Sequence, residues 1–151
     1  MSDKQLEEEV REYISTTRFA ILSYVREDRV PVPRSMCSFV PDGLDIYFST
    51  PKVTAKVKEI GINKRVSFFF EHDNQALDSW KSVLLIGEAE QVEQEPELSK
   101  AVGLLSGRNP RFKERVAKGE LPNTAIFKIR TREVEYLDYS KGPGFVQKFK
   151  L

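Results

Sequence analysis

One cysteine, one histidine and one tryptophan in 151 residues is a sparse endowment, and each scarcity narrows the chemistry open to the chain. Cys37 alone cannot form an internal disulfide, as expected of a protein kept in a reducing cytoplasm. With His72 the only imidazole, no pair of histidines is at hand to ligate a metal, and no metal site is expected. Charge of one sign is missing too: 24 lysines and arginines face 23 aspartates and glutamates, for a net charge of +1. No broad basic field is offered to phosphate backbones, which argues against nucleic acid as a partner. No apolar run is long enough to span a bilayer, and the charged start MSDKQLEEEVREY lacks the apolar core of a signal peptide, so no membrane partner is expected. The expectation is one soluble, cytoplasmic domain over residues 1–151, large enough for a single core and too short for two.

What the chain does have is a series of changing hydrophobic periods. Leu6, Val10, Tyr13 and Ile14 recur at helical spacing over residues 3–14, behind Ser2 as a capping residue. Residues 19–25 and 30–40 read as β segments joined by a polar turn at 26–29, and Pro31 and Pro33 point to an edge strand or a bulge. Residues 44–49 complete a meander. A short helix over 53–60, with Val53, Val57 and Ile60 on its buried side, precedes two strongly apolar β segments at 66–71 and 82–92. Gly87, in the middle of the second, marks a bulge or the close approach of another backbone. Helices over 95–105 and 111–117, broken at 107–110, lead to a long strand over 125–137 with one wet face. Strand and helix do not alternate regularly, so the pattern predicts a mainly β fold with peripheral helices, an antiparallel barrel of six strands.

The most informative stretch runs from Arg34 to Asn63. There the hydroxyl-rich strand end Ser49-Thr50 stands just before a lysine-bearing helix. The first turn of such a helix presents unpaired N–H groups and the positive end of the helix dipole, which together favour an anion. Thr50, Thr54 and Lys56 add two hydroxyls and a positive charge in the same neighbourhood, a phosphate site in outline. Equally, Thr50 can be a plain helix cap and Lys52, Lys56 and Lys58 a solvated face.

The wider spacing favours the first reading. Arg34-Ser35-Met36-Cys37-Ser38, then Thr50 to Thr54 and Lys56, then Asn63-Lys64-Arg65-Val66, resembles the FMN-binding split-barrel family that includes the pyridoxamine phosphate oxidases. In that family an R-x-[VM]-x-x strand faces the flavin, and a T-x-x-x-[ST]-x-K segment meets its phosphate before a helix ending in Asn. The resemblance covers residues 15–95 and, more weakly, 125–138. It implies an antiparallel FMN-binding split barrel, with FMN as cofactor. Lys56 and Thr54 would take the phosphate, Ser49 and Thr50 the phosphate and ribityl groups, and the backbone of Arg34, Ser35, Met36 and Cys37 the ring edge. Lys52 would stand as a further phosphate cation. A homodimer is implied as well, since one small barrel gives too shallow a pocket to cover an isoalloxazine.

Departures from the oxidase pattern bear on the substrate. The position five residues after Arg34, a substrate-contacting lysine in those oxidases, is Phe39, and the second phosphate cation directly before Lys56 is Ala55. The chain ends KGPGFVQKFKL, without the arginine- and histidine-bearing segment that grips the substrate phosphate in those enzymes. Oxidation of vitamin B6 is therefore disfavoured. The run WKSVLLIGEA at 80–89 looks like the corresponding strand of the smaller split-barrel flavoproteins, including those of nitroimidazole resistance. It leaves Trp80 over the flavin, across a dimer seam or in the core. Three functions follow from the resemblance: an FMN-dependent oxidoreductase passing electrons from a reduced donor to a small acceptor, a non-catalytic flavin or haem module for electron transfer, or a deazaflavin-dependent reductase. His72 stays open as a haem ligand, a proton donor or a plain loop residue, and Cys37 reads as a small buried filler. No catalytic residue is singled out.

Overall fold

The computed structural model describes residues 3–151, so the capping role given to Ser2 lies outside the described residues. Helix α1 (Asp3–Ser15) turns Leu6, Val10, Tyr13 and Ile14 inward, as their spacing predicts. The strands are β1 (Ala20–Val25), β2 (Pro31–Met36), β3 (Phe39–Asp42), β4 (Asp45–Pro51), β5 (Arg65–Glu71), β6 (Lys81–Gln91), β7 (Thr124–Asp138) and β8 (Val146–Lys150). Helix α2 (Ala55–Ile62) precedes β5, while α3 (Glu97–Arg108) and α4 (Pro110–Ala117) lie between β6 and β7. All strands pair antiparallel in one sheet, ordered β2-β1-β5-β6-β7-β4-β3, with β8 added against β7.

The mainly β, antiparallel split barrel expected from the sequence is formed, with eight strands rather than six. Residues 30–40 are two strands, and the expected meander does not form. β2 pairs with β1 at one end of the sheet, and β3 pairs with β4 at the other. Only Cys37 and Ser38 join β2 to β3. Three Cα steps reach at most about 11 Å, so the sheet must roll until its two ends nearly meet. That roll turns a sheet into a half-barrel and creates a seam. The prolines fit this placement, because β2 is an edge strand with nothing to donate to on its free side. β8 escapes the sequence reading because none of its residues is buried, so neither an apolar run nor a period announces it.

The interior is aromatic. Phe39, Phe48, Phe68, Phe70 and Phe127 meet inside the curl, with Phe39 5.3 Å from Phe68 and Phe48 5.2 Å from Phe127 between ring centroids. β4 is buried on both faces: Ile46 and Phe48 point into this core, while Tyr47 packs outward against Ala101, Leu105 and Phe112 under α3 and α4. Its unbroken apolar run has that cause. Helix α2 begins at Ala55, not at residue 53. Val53 is 96 % exposed rather than buried, because Thr54 is the extended N-cap residue and Val53 sits in the turn before it. Pro110 divides α3 from α4, since the residue before a proline avoids the helical region; Asn109 accordingly has an extended backbone.

Gly87 marks both a bulge and a close approach. The β6–β7 register shifts between Ile86 and Gly87, and a Cβ on Gly87 would lie 2.2 Å from the carbonyl oxygen of Arg130. No side chain fits there without moving β7. Gly87→Ala should therefore cost about 1–3 kcal/mol, the range for overpacking, read as a lower midpoint in thermal unfolding followed by circular dichroism. An unchanged midpoint would mean that the strands part without cost at this point.

Candidate functional site

The candidate site lies at the seam, where the strand after β2 meets the β3–β4 edge and the start of α2. The Ser49 N–H donates to the Ser38 carbonyl at 3.0 Å, extending the β3–β4 pairing into the crossover, and the two serine hydroxyls touch. Thr50 is buried, with its hydroxyl 3.4 Å from that of Thr54. Thr50 is thus not the helix cap. That position belongs to Thr54, whose hydroxyl donates to the Pro51 carbonyl at 3.0 Å instead of capping, so no side chain caps the first turn of α2.

Two cations complete the arrangement. Lys56 is half-buried in the first turn of α2, and burial first, then the charge of Arg34, pulls its pKa below the usual lysine value. Arg34 donates to the Pro33 carbonyl at 3.0 Å. Among the described residues neither side chain is paired with a carboxylate. Like charges crowd together here beside an uncapped helix end and a row of hydroxyls bonded to one another. Such a cluster is unfavourable alone and is relieved by an anion with several acceptor oxygens.

The other sequence candidates fall elsewhere. Ser35 is exposed, whereas the Met36 side chain is buried in the core, so only the backbone of Met36 is open to a ligand. Cys37 is exposed at the crossover, not a buried filler. Lys52 opens onto a separate crevice with Leu98, Leu121 and Ile126. Trp80 precedes β6 and donates from its indole nitrogen to Glu71 at 2.9 Å, with β1 and β5 between it and Cys37. Within one chain the structure links Arg34 with Lys56 and Thr50 with Thr54, places Lys52 on a crevice that shares Thr124 with the one holding Thr50, and sets Trp80 apart.

His72 has a structural post. Its ring stacks on Tyr13 at 3.7 Å between centroids, and Nε2 lies 2.9 Å from the Tyr13 carbonyl oxygen. The Tyr13 hydroxyl accepts from the His72 N–H at 2.8 Å and donates to the Lys81 carbonyl, and burial raises its pKa. Together they latch the end of α1 to the barrel. The sequence reading also passed over a cavity of about 640 Å³ beside the crossover, lined by Cys37 and Ser38 and by Arg108, Arg111 and Arg115 of the α3–α4 segment. The available signal was the run RNPRFKER at 108–115, four cations against Glu114 alone.

Comparison with known proteins accords with this geometry. The family model for pyridoxamine 5'-phosphate oxidase matches residues 6–138. None of the curated proteins matches the chain. Among solved structures, a heme binding protein from Mycobacterium smegmatis superposes with a TM-score of 0.80 at 16% identity, over 95% of this chain. This chain spans 57% of that protein's length. A Clostridium acetobutylicum protein related to general stress protein 26 of Bacillus subtilis superposes with a TM-score of 0.76 at 16% identity, over 99% of this chain and 97% of its own. A Bacteroides thetaiotaomicron protein named for 5-nitroimidazole antibiotic resistance gives 0.68 at 15% identity, over 90% of this chain and 84% of its own. At these identities the likeness is one of fold. No described helix is long and apolar enough to cross a membrane.

The crowding of Lys56 has a measurable consequence. Its folded pKa lies below its unfolded one, so the penalty is fully present below the folded pKa and fades as pH rises through it. In the ligand-free protein Lys56→Met should leave the unfolding midpoint unchanged or raise it at neutral pH. A clear fall in the midpoint would show that Lys56 makes a stabilising contact instead.

Proposed function

The chain belongs to the pyridoxamine 5'-phosphate oxidase family, and from that membership we propose that it binds FMN at the barrel seam as an oxidoreductase, passing electrons from a reduced donor to a small acceptor. The observation that carries this reading is the unneutralised Arg34–Lys56 pair beside the uncapped start of α2. A phosphate dianion needs charge-assisted donors, and Lys56, the Thr54 hydroxyl and the first-turn N–H groups are grouped to supply them. Thr50 and Ser49 would hold the ribityl chain, and the backbone from Arg34 to Cys37 the ring edge. Bound there, FMN would supply the electron chemistry, while the protein positions it and tunes it by charge.

The acceptor differs from vitamin B6 on this reading. Phe39 is fully buried among Phe68 and Phe70, so the position that offers a lysine to the substrate in the family oxidases offers nothing polar here. Haem is the less favoured occupant of the fold, because His72 is committed to Tyr13. The working unit would be a homodimer. Ile21, Phe69 and Leu84 stand side by side across β1, β5 and β6 on the outer face of the sheet, and exposed Phe19 extends the row. A second copy would cover that apolar row and deepen the flavin site.

Purified protein incubated with FMN should stay yellow through a desalting column; a colourless eluate would overturn the flavin reading. Lys56→Ala should weaken FMN binding by about 1.5–3 kcal/mol, or about 10- to 150-fold in Kd, as measured by flavin fluorescence quenching. Unchanged affinity would remove Lys56 from the phosphate site. Leu84→Arg should sediment as a monomer, whereas a dimer that survives this change would place the interface elsewhere.

A further inference from the structure

We propose that the cavity between the Cys37–Ser38 crossover and helix α4 binds an organic anion with a flat apolar body, of the aromatic carboxylate class. At about 640 Å³ the cavity is of a size suited to a small organic molecule. Four guanidinium groups line it, those of Arg18, Arg108, Arg111 and Arg115, and no aspartate or glutamate does. The rings of Phe19 and Phe112 provide the apolar walls.

These arginines differ in how they are held. Arg108 is fixed: it donates to the carbonyls of Phe39 at 2.9 Å and Thr17 at 2.6 Å and lies 4.1 Å over the Phe39 ring. It contributes a stationary positive charge to the cavity floor. Arg111 and Arg115 are four residues apart, on one face of α4, and among the described residues neither side chain has a hydrogen-bond or ion-pair partner. The acid between them, Glu114, turns to Lys118 at 3.1 Å instead. Arg18 makes only a 3.9 Å pair with Asp73, both side chains at least 70% exposed, a contact of little strength. Elsewhere among the described residues some surface lysines are paired, as Lys100 with Asp42 at 2.9 Å, and others, such as Lys58, are not. Two free planar guanidinium groups on the rim of an apolar slot match a carboxylate, which each can take with two parallel hydrogen bonds. An aromatic ring behind that carboxylate would cover Phe19, which is 47% exposed, above the buried Phe112.

The cavity also adjoins the seam. Cys37 lines it directly, and Arg115 lines both this cavity and the crevice that holds Thr50. As the acceptor pocket of the flavoprotein the site rests on the reading above, and it then selects anionic acceptors over neutral ones. As an anion site it does not depend on flavin.

Calorimetric titration of the full chain with 2-naphthoate, and with its neutral counterpart 2-naphthamide, tests the proposal. Naphthoate should bind once per chain and more tightly than the amide. The double variant Arg111→Gln, Arg115→Gln should weaken it about tenfold or more and leave the amide unaffected. Arg111→Gln alone, on a residue given no part in holding the flavin, should weaken it in the same direction. Equal binding of acid and amide, or unaltered naphthoate affinity in the double variant, would overturn the site. Flavin retention is read separately by absorbance on the same wild-type sample: naphthoate binding to a colourless protein would sink the flavin reading and leave the anion site standing.

Discussion

The two-residue link between β2 and β3 governs this molecule. Because β2 and β3 end a seven-strand path at opposite edges, Cys37 and Ser38 can join them only if the whole sheet curls. The curl is secured from both sides. Inside, Phe39 packs edge-on against Phe68 and Phe70, at 5.3 and 5.7 Å between centroids. Outside, Arg108 and Asn109 both donate to the Phe39 carbonyl, and Arg108 also reaches Thr17 ahead of β1. One arginine thus ties the end of α3, the start of β3 and the approach to β1 at a single point, and its desolvated charge is compensated by carbonyl oxygens and an aromatic face.

Closure of that seam places the polar groups. Ser38, just after β2, meets Ser49 near the end of β4, and α2 begins a few residues beyond, so strand-end hydroxyls, helix N–H groups and the Arg34–Lys56 pair share one neighbourhood. Nothing in the local hydrogen bonding needs both cations there. That they stand without a carboxylate is the mark on which the proposed anion site rests. The same mark recurs on α4, where Arg111 and Arg115 face a cavity while Glu114 is drawn off to Lys118. β2, β4 and the α3–α4 corner carry Arg34, Ser49, Thr50 and the cavity residues Arg108, Arg111 and Arg115, while Thr54 and Lys56 come from the turn and helix that follow β4.

Much of this was legible beforehand, for particular reasons. The α1 stripe, the alternation in β5 and the glycine in β6 are local signals, each set by a period or by a steric demand at one residue. That Arg34 and Lys56 come near each other was legible only through the family spacing, since 22 residues separate them in the chain. Val53 was misplaced because an apolar residue two positions before a helix looks like part of its face until the cap is located. The split of residues 30–40 was hidden because Cys37 and Ser38 interrupt no hydrophobic pattern, and β8 because its side chains stay largely in solvent.

By itself the sequence determined the class of the fold and the absence of a disulfide framework, since these rest on residue types and on spacings of a few positions. Only the tertiary structure decided that β2 and β3 part to opposite edges, that Trp80 lies two strands away from the crossover within the chain, that His72 is a latch, and that Arg18 and the arginines of residues 108–115 line one cavity. Those facts depend on pairings between residues far apart in the chain. No period or propensity encodes such distances; they follow from the one way this sheet can roll while burying its phenylalanines.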